Sequence, residues 1–222
     1  MRYYITFLLL FLFNNLLAQI ALPTFHGIQK PDPPIPFVNY AIEFDGSGDN
    51  IQINGSDLNP PWTVEVWFKS ISNTHNSTLL WRCGSPCWAL KLHQYNNTKK
   101  IGITKYGNTD WKWNYITSVG KWEHVVWVGK NNNVELFVNG VSKGTKNLSN
   151  AKLYWKYIGK SNGTLTFHGQ IDELRIWNDA RTAAEIKSNM FKELEGNENN
   201  LKAYYKMSNG SGTTLTDNST NS

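Results

Sequence analysis

The sequence predicts an all-β fold, two antiparallel sheets stacked as a sandwich with one short C-terminal helix. Three observations carry that expectation. Apolar residues recur with period two over many short segments, turn residues punctuate those segments, and a single stretch near the end carries helix signals. The 222-residue length suits one large sandwich preceded by a leader, with enough chain to bury a sizeable core.

The chain opens with Met1-Arg2-Tyr3-Tyr4 and runs from Ile5 to Leu17 with only Thr6, Asn14 and Asn15 as polar interruptions, then reaches the small residue Ala18. This run is shorter than the ~18–20 apolar residues that crossing a bilayer requires. Residues 1–18 are therefore read as a signal peptide and the chain as secreted or displayed at the cell surface. No later segment is apolar for long enough to span a membrane. Residues 19–39 carry Pro23, Pro31, Pro33, Pro34 and Pro36, which suits an extended leader. The folded unit is expected over 40–207. The polar stretch 208–222 is either a frayed tail or the opening of a further module.

Within the folded unit, Tyr40, Ile42 and Phe44 alternate with Ala41 and Glu43. Val64, Val66 and Phe68 alternate with Glu65, Trp67 and Lys69, and Trp88, Leu90 and Leu92 with Ala89, Lys91 and His93. Period two predicts one buried and one exposed face for each strand. Glu123 to Val128, the Asn131-Asn132-Asn133 turn and Val134 to Val138, closing on Asn139-Gly140, read as two successive hairpins. Gly169 to Trp177 supplies a further strand. Thr182-Ala183-Ala184-Glu185 has capping-box spacing, and Ile186 and Met190 then share a helix face.

The charge of +5 is spread over single lysines, which describes a solvated surface rather than a nucleic-acid footprint. Cys83 and Cys87, separated by Gly84-Ser85-Pro86, are expected to pair as a disulfide in an oxidising compartment. Structural zinc takes four ligands, and no second Cys or His pair stands at ligand spacing.

Six phrases in order resemble the strands of the laminin-G-like domain family, in the concanavalin A-like lectin/glucanase superfamily. They are Ala41-Ile-Glu-Phe-Asp-Gly46, Trp62-Thr-Val-Glu-Val-Trp-Phe68, Lys121-Trp-Glu-His-Val-Val126, Val134-Glu-Leu-Phe-Val-Asn-Gly140, Tyr157-Ile-Gly159 and Gly169-Gln-Ile-Asp-Glu-Leu-Arg-Ile-Trp177. The resemblance covers residues 40–195. It implies a two-sheet antiparallel jelly-roll sandwich, often with calcium, in extracellular modules that bind glycans or proteins. Related glycoside hydrolases place two glutamates on one strand as Glu-x-Asp-x-x-Glu. Here Gln170 and Arg175 stand in the outer positions, and alternation would turn Asp172 and Glu173 to opposite faces. No catalytic residues are assigned on that basis.

Asp45 and Asp172 have two readings. The resemblance implies a structural calcium site that both carboxylates share with carbonyls around Gly46 to Asp49. The alternative is that Asp45 caps a Gly-rich turn while Asp172 bonds nearby backbone or Arg175. Trp111, Trp113 and Tyr115 stand at i, i+2 and i+4, with Asp110, Lys112 and Asn114 between them. Their aligned rings suit a platform for sugar rings, or else the stripe packs into the sandwich, where aromatic residues are enriched. Trp62, Trp122 and Trp177 are expected in the core. His75, His93, His124 and His168 form no metal-ligand or nucleophile–base pair by spacing. Glycosylation sequons begin at Asn54, Asn76, Asn96, Asn147, Asn162, Asn209 and Asn218. The function expected is noncatalytic recognition of a glycan or an extracellular protein, with a structural or adhesive spacer as the alternative.

Overall fold

A computed structural model describes residues 40–73, 77–82, 87–94, 98–161 and 166–220. The expected signal peptide and leader, Cys83, His75, and the sequons at Asn76, Asn96 and Asn162 lie outside the described residues. The strands are β1 (Ile42–Asp45), β2 (Ile51–Gln52), β3 (Trp62–Ser70), β4 (Ser77–Trp81), β5 (Trp88–His93), β6 (Lys100–Lys105), β7 (Thr109–Ile116), β8 (Trp122–Gly129), β9 (Asn133–Val138), β10 (Val141–Asn147), β11 (Tyr157–Ile158), β12 (His168–Trp177) and β13 (Leu201–Tyr205). The helix α1 covers Ala183–Asn189.

Two antiparallel sheets form. One has seven strands in the order β1-β12-β3-β8-β9-β10, with β13 also paired to β12; the other has six, in the order β2-β11-β4-β5-β6-β7. β1 and β13 share one side of β12, pairing with residues 168–171 and 174–177 respectively. The core lies between the sheets. Val64, Val66 and Phe68 of β3 meet Leu90 and Leu92 of β5, Ile101 and Ile103 of β6 and Ile158 of β11, all buried. Period two therefore locates the inward residues correctly.

The expectation of one exposed face fails for β3 and β5, which are buried along almost their whole length. For β3 the cause is the chain after α1, which crosses the outer face. Trp67 Nε1 donates to Met190 O at 2.8 Å, and its ring lies 5.5 Å from that of Phe191. Leu194 packs with Trp177, Leu201 and Tyr204. Trp62 and Trp177 are core residues as expected, whereas Trp122 is half-buried.

The hairpins and helix form as predicted. β8, β9 and β10 run consecutively, and Asn139 (φ 49°) and Gly140 (φ 72°) take the left-handed conformations of a two-residue turn. Thr182 caps α1 through a complete capping box with Glu185, and Ile186 is buried. Leu201–Tyr205 closes the seven-stranded sheet. Part of the chain beyond it returns to this strand: Asn218 N donates to Tyr204 O at 2.7 Å, and Asp217 Oδ1 accepts from Tyr204 N at 3.0 Å. These bonds satisfy backbone groups on the free side of β13.

Candidate functional site

The site starts from a parity argument. Ile158 of β11 and Leu80 of β4 are register partners and both are core residues, so their neighbours Tyr157 and Trp81, also register partners, point to the outer face of the six-stranded sheet. Their rings lie 5.6 Å apart at 35°. Trp81 is held in place by its indole, which donates to Cys87 Sγ at 3.0 Å. Tyr157 is half-buried, so part of the residue remains open to solvent. Lys156 Nζ stands 5.8 Å from the Tyr157 ring centre. On the other side Arg82 follows Trp81, lies 5.7 Å over the Tyr154 ring and forms an ion pair with Asp57. Arg82 and Lys156, the sequence neighbours of Trp81 and Tyr157, line an open cleft of about 390 Å³ together with Ile53, Asn54 and Gly55.

Further along the same outer face, Lys91 is buried at 2% exposure. Its ammonium donates to Thr78 Oγ1 at 2.8 Å and stands 5.7 Å from the Tyr106 ring centre. Burial pulls its pKa down to about 8, against the opposing pull of Asp110 and Cys87. The Thr104 hydroxyl lies 2.6 Å from Asp110 Oδ1 and 3.1 Å from Gln94 Oε1. Gly102 makes room for Gln94 to lie across β6, because a Cβ there would come within 2.4 Å of Gln94 Cγ. The arrangement is a buried polar layer beside the aromatic wall, with Thr78, Lys91 and Gln94 closed to solvent. What a sugar can reach is the half-buried Tyr157 and the side chains of the open cleft, an aromatic surface for C–H faces and polar groups for the rest.

The aromatic stripe on β7 is placed differently. Trp111 is the register partner of Ile103, a core residue, so Trp111, Trp113 and Tyr115 face inward. Trp113 is 1% exposed and donates from Nε1 to Gly144 O of β10 at 2.8 Å. Trp111 stacks on Trp88 with centroids 5.6 Å apart. Tyr115 bonds Glu123 and lies under Lys143 Nζ. Trp113 is thus a core residue and no sugar platform, and its two neighbours form the rim where β7 faces β10. β7 is an edge strand of the six-stranded sheet.

Asp45 and Asp172 are not brought together. Asp45 is the register partner of His168, four residues along β12 from Asp172, which is roughly 13 Å of strand. Asp45 Oδ1 accepts from Ser47 N at 2.6 Å as a turn cap, and Asp45 N donates to Asp49 Oδ2. Among the described residues no group of three or more His, Cys, Asp or Glu side chains converges on a metal position. The shared calcium site therefore lacks its geometry here. Cys87, besides receiving the Trp81 indole, lies 2.9 Å from Arg82 O. Its expected partner Cys83 falls outside the described residues.

Alternation also fails at Asp172 and Glu173. A bulge between Asp172 and Arg175 and a left-handed Glu173 (φ 52°) turn both carboxylates to the outer face of the seven-stranded sheet, under the chain that follows α1. There Arg175 Nη2 donates to Glu173 Oε2 at 2.6 Å, and Tyr204 donates to Glu173 at 2.7 Å. Arg175 Nη1 donates to Asn189 O at 2.9 Å. Burial works to raise the Glu65 pKa, but His124, at 3.3 Å, and Arg175 outweigh it and hold that carboxyl below its ordinary value. Burial pushes His124 down, against the opposing pull of Glu65. Burial pushes Asp172 up to about 7, reinforced by Glu173. Asp172 and Glu173 are 1% and 3% exposed. They are structural groups closed off from solvent.

A family model of the laminin G type matches residues 45–187. The chain belongs to the concanavalin A-like lectin/glucanases superfamily. Its laminin-G-like jelly roll recurs in solved structures. A candidate carbohydrate binding protein from Bacteroides ovatus is 18% identical at a TM-score of 0.61, over 82% of this chain and 54% of that one. The laminin-G-like chain thus spans about half the length of that relative. Domain 4 of an extracellular arabinanase from Geobacillus stearothermophilus, in complex with arabinotriose, is 21% identical at 0.56, over 67% of this chain and 75% of its own. The CBM40 of a Ruminococcus gnavus sialidase, bound to α2,3-sialyllactose, is 16% identical at 0.52, over 67% and 95%. At these identities the likeness is one of fold. No curated protein matches the sequence.

Sequence reasoning missed Trp81, Arg82, Lys156 and Tyr157. They come from the end of β4 and from a two-residue strand, segments too short for period two to register. The available signal was Tyr157-Ile158-Gly159, a strand phrase of the laminin-G-like pattern whose first residue must face outward if its second is core.

Proposed function

We propose that this chain is a secreted, noncatalytic recognition module that binds glycan on the outer face of its six-stranded sheet. The observation that carries this reading is the Trp81–Tyr157 wall beside the open 390 Å³ cleft of Asn54, Arg82 and Lys156. A half-buried tyrosine fixed by a cross-strand partner offers stacking area at little cost in side-chain order. The fold is shared with an arabinanase domain in complex with arabinotriose and with a sialidase CBM40 bound to sialyllactose, which adds support. The noncatalytic part rests on Gln170 and Arg175, and on the burial of Asp172 and Glu173 away from any sugar. Export rests on the sequence of residues 1–18. No helix among the described residues is long and apolar enough to cross a membrane.

The test is a glycan array followed by titration calorimetry on the strongest hit, with Tyr157→Ala as the variant. Loss of stacking should weaken binding roughly tenfold, while loss of the Trp81 contact should cost only about 1 kcal/mol of stability and leave the domain folded. An array without hits supports the spacer alternative, and full affinity in Tyr157→Ala moves the site elsewhere.

A further inference from the structure

We infer that the cleft beside Tyr157 takes a carboxylated sugar rather than a neutral one. The inference rests on the glycan reading and deepens it. Positive charge is concentrated on this side of the sandwich: β6 and β7 present the half-buried Lys100 and Lys112 on the outer face, where the only strand carboxylate is Asp110. Asp110 is engaged by Thr104 at 2.6 Å. On the seven-stranded sheet, by contrast, Glu65 and Glu173 are matched internally by Arg175.

The cleft repeats this bias at closer range. Its polar walls are the Arg82 guanidinium, the Lys156 ammonium and the Asn54 amide, and only the amide can accept a hydrogen bond through its side chain. Asp57, the carboxylate nearest Arg82, is occupied by it. Neutral sugars present many hydroxyl donors, and sites for them need acceptors to match. A site of donors suits a ligand group that only accepts. Asp57 contacts Arg82 through Nη1. Among the described residues, Nη2 and Nε of this 38% exposed side chain carry no further bond, which leaves one edge of the fork for a carboxylate. Lys156, beside the Tyr157 ring and exposed, supplies a second charge at the spot where a sugar would stack. The ring would fix the pyranose face while the two cations select its acid group.

Titration calorimetry against three probe sets tests this: carboxylated oligosaccharides (galacturonate and alginate fragments, a sialylated trisaccharide), neutral counterparts (galactan and arabinan fragments) and sulfated heparin fragments. The expected result is that a carboxylated probe binds at least about tenfold more tightly than its neutral counterpart, and that raising salt weakens it. Arg82→Gln and Lys156→Gln should each weaken that binding about tenfold while melting as the parent does, since both side chains are outside the core. Equal or better binding of neutral probes, lost in Tyr157→Ala, overturns the inference and leaves the glycan reading standing. Preference for heparin fragments, unaffected by Arg82→Gln, overturns it in favour of diffuse charge attraction. Binding of no saccharide in any set overturns both.

Discussion

Replacing Arg175 by Met removes the cation that bonds Glu173 inside a closed cluster. The guanidinium is 1% exposed, bonds Glu173 at 2.6 Å and the Asn189 carbonyl at 2.9 Å, and stands 3.9 Å from Glu65. Met fills similar volume, so the loss is electrostatic rather than a cavity. Glu65 and Glu173 then keep only one imidazole and one phenol as partners, with Asp172 beside Glu173, and the chain after α1 loses its anchor. Breaking a buried ion pair by deleting one partner costs roughly 3–5 kcal/mol. For a domain of this size each kcal/mol moves the melting temperature by about 2–4 °C, so a drop of roughly 6–20 °C is expected at pH 7. Urea denaturation monitored by tryptophan fluorescence gives the free energy independently. Adding Glu173→Gln to Arg175→Met removes one stranded carboxylate and should recover part of the loss. A destabilisation under about 1 kcal/mol refutes the charge argument, as does a double variant no more stable than the single one.

Asp172→Asn should stabilise the protein at pH 8 and have little effect near pH 4. The folded-state pKa of about 7 lies above the 3.8 of the ordinary group, so the folded state binds the proton more tightly. That contribution is present below pH 3.8 and is lost as pH rises through about 7. At 1.4 kcal/mol per unit the gain is bounded at roughly 4 kcal/mol. Melting curves of parent and variant at both pH values check it, and an equal difference at the two pH values counts against it. Gly102→Ala should destabilise by roughly 1–3 kcal/mol, because the added Cβ meets Trp111 O and Gln94 Cγ, each at 2.4 Å. An unchanged urea midpoint would show that β6 yields at no cost.

Period two made most of the sandwich legible in the sequence, as did the Asn139-Gly140 turn and the Thr182 capping box, because each is a local pattern with a local cause. What covers the outer faces was not legible. β3 reads as half-exposed until the chain at 190–194, more than a hundred residues away, lies over Trp67. The bulge at Asp172 and Glu173 leaves no mark on the hydrophobic pattern, yet it decides which face two carboxylates share. The stripe Trp111, Trp113, Tyr115 gave the right period, but its direction depends on β7 being an edge strand opposite β10. Trp81 and Tyr157 meet only through the pairing of β4 with β11, across 76 positions of sequence.

The most direct test of the central claim is the indole N–H resonance of Trp81 during titration with a glycan that binds. With the ligand against Tyr157, the Trp81 resonance should shift progressively to saturation, while that of Trp127, 0% exposed and inside the core, stays in place. A bound glycan that leaves Trp81 unmoved and shifts resonances on the β7–β10 rim or the seven-stranded sheet would contradict the account.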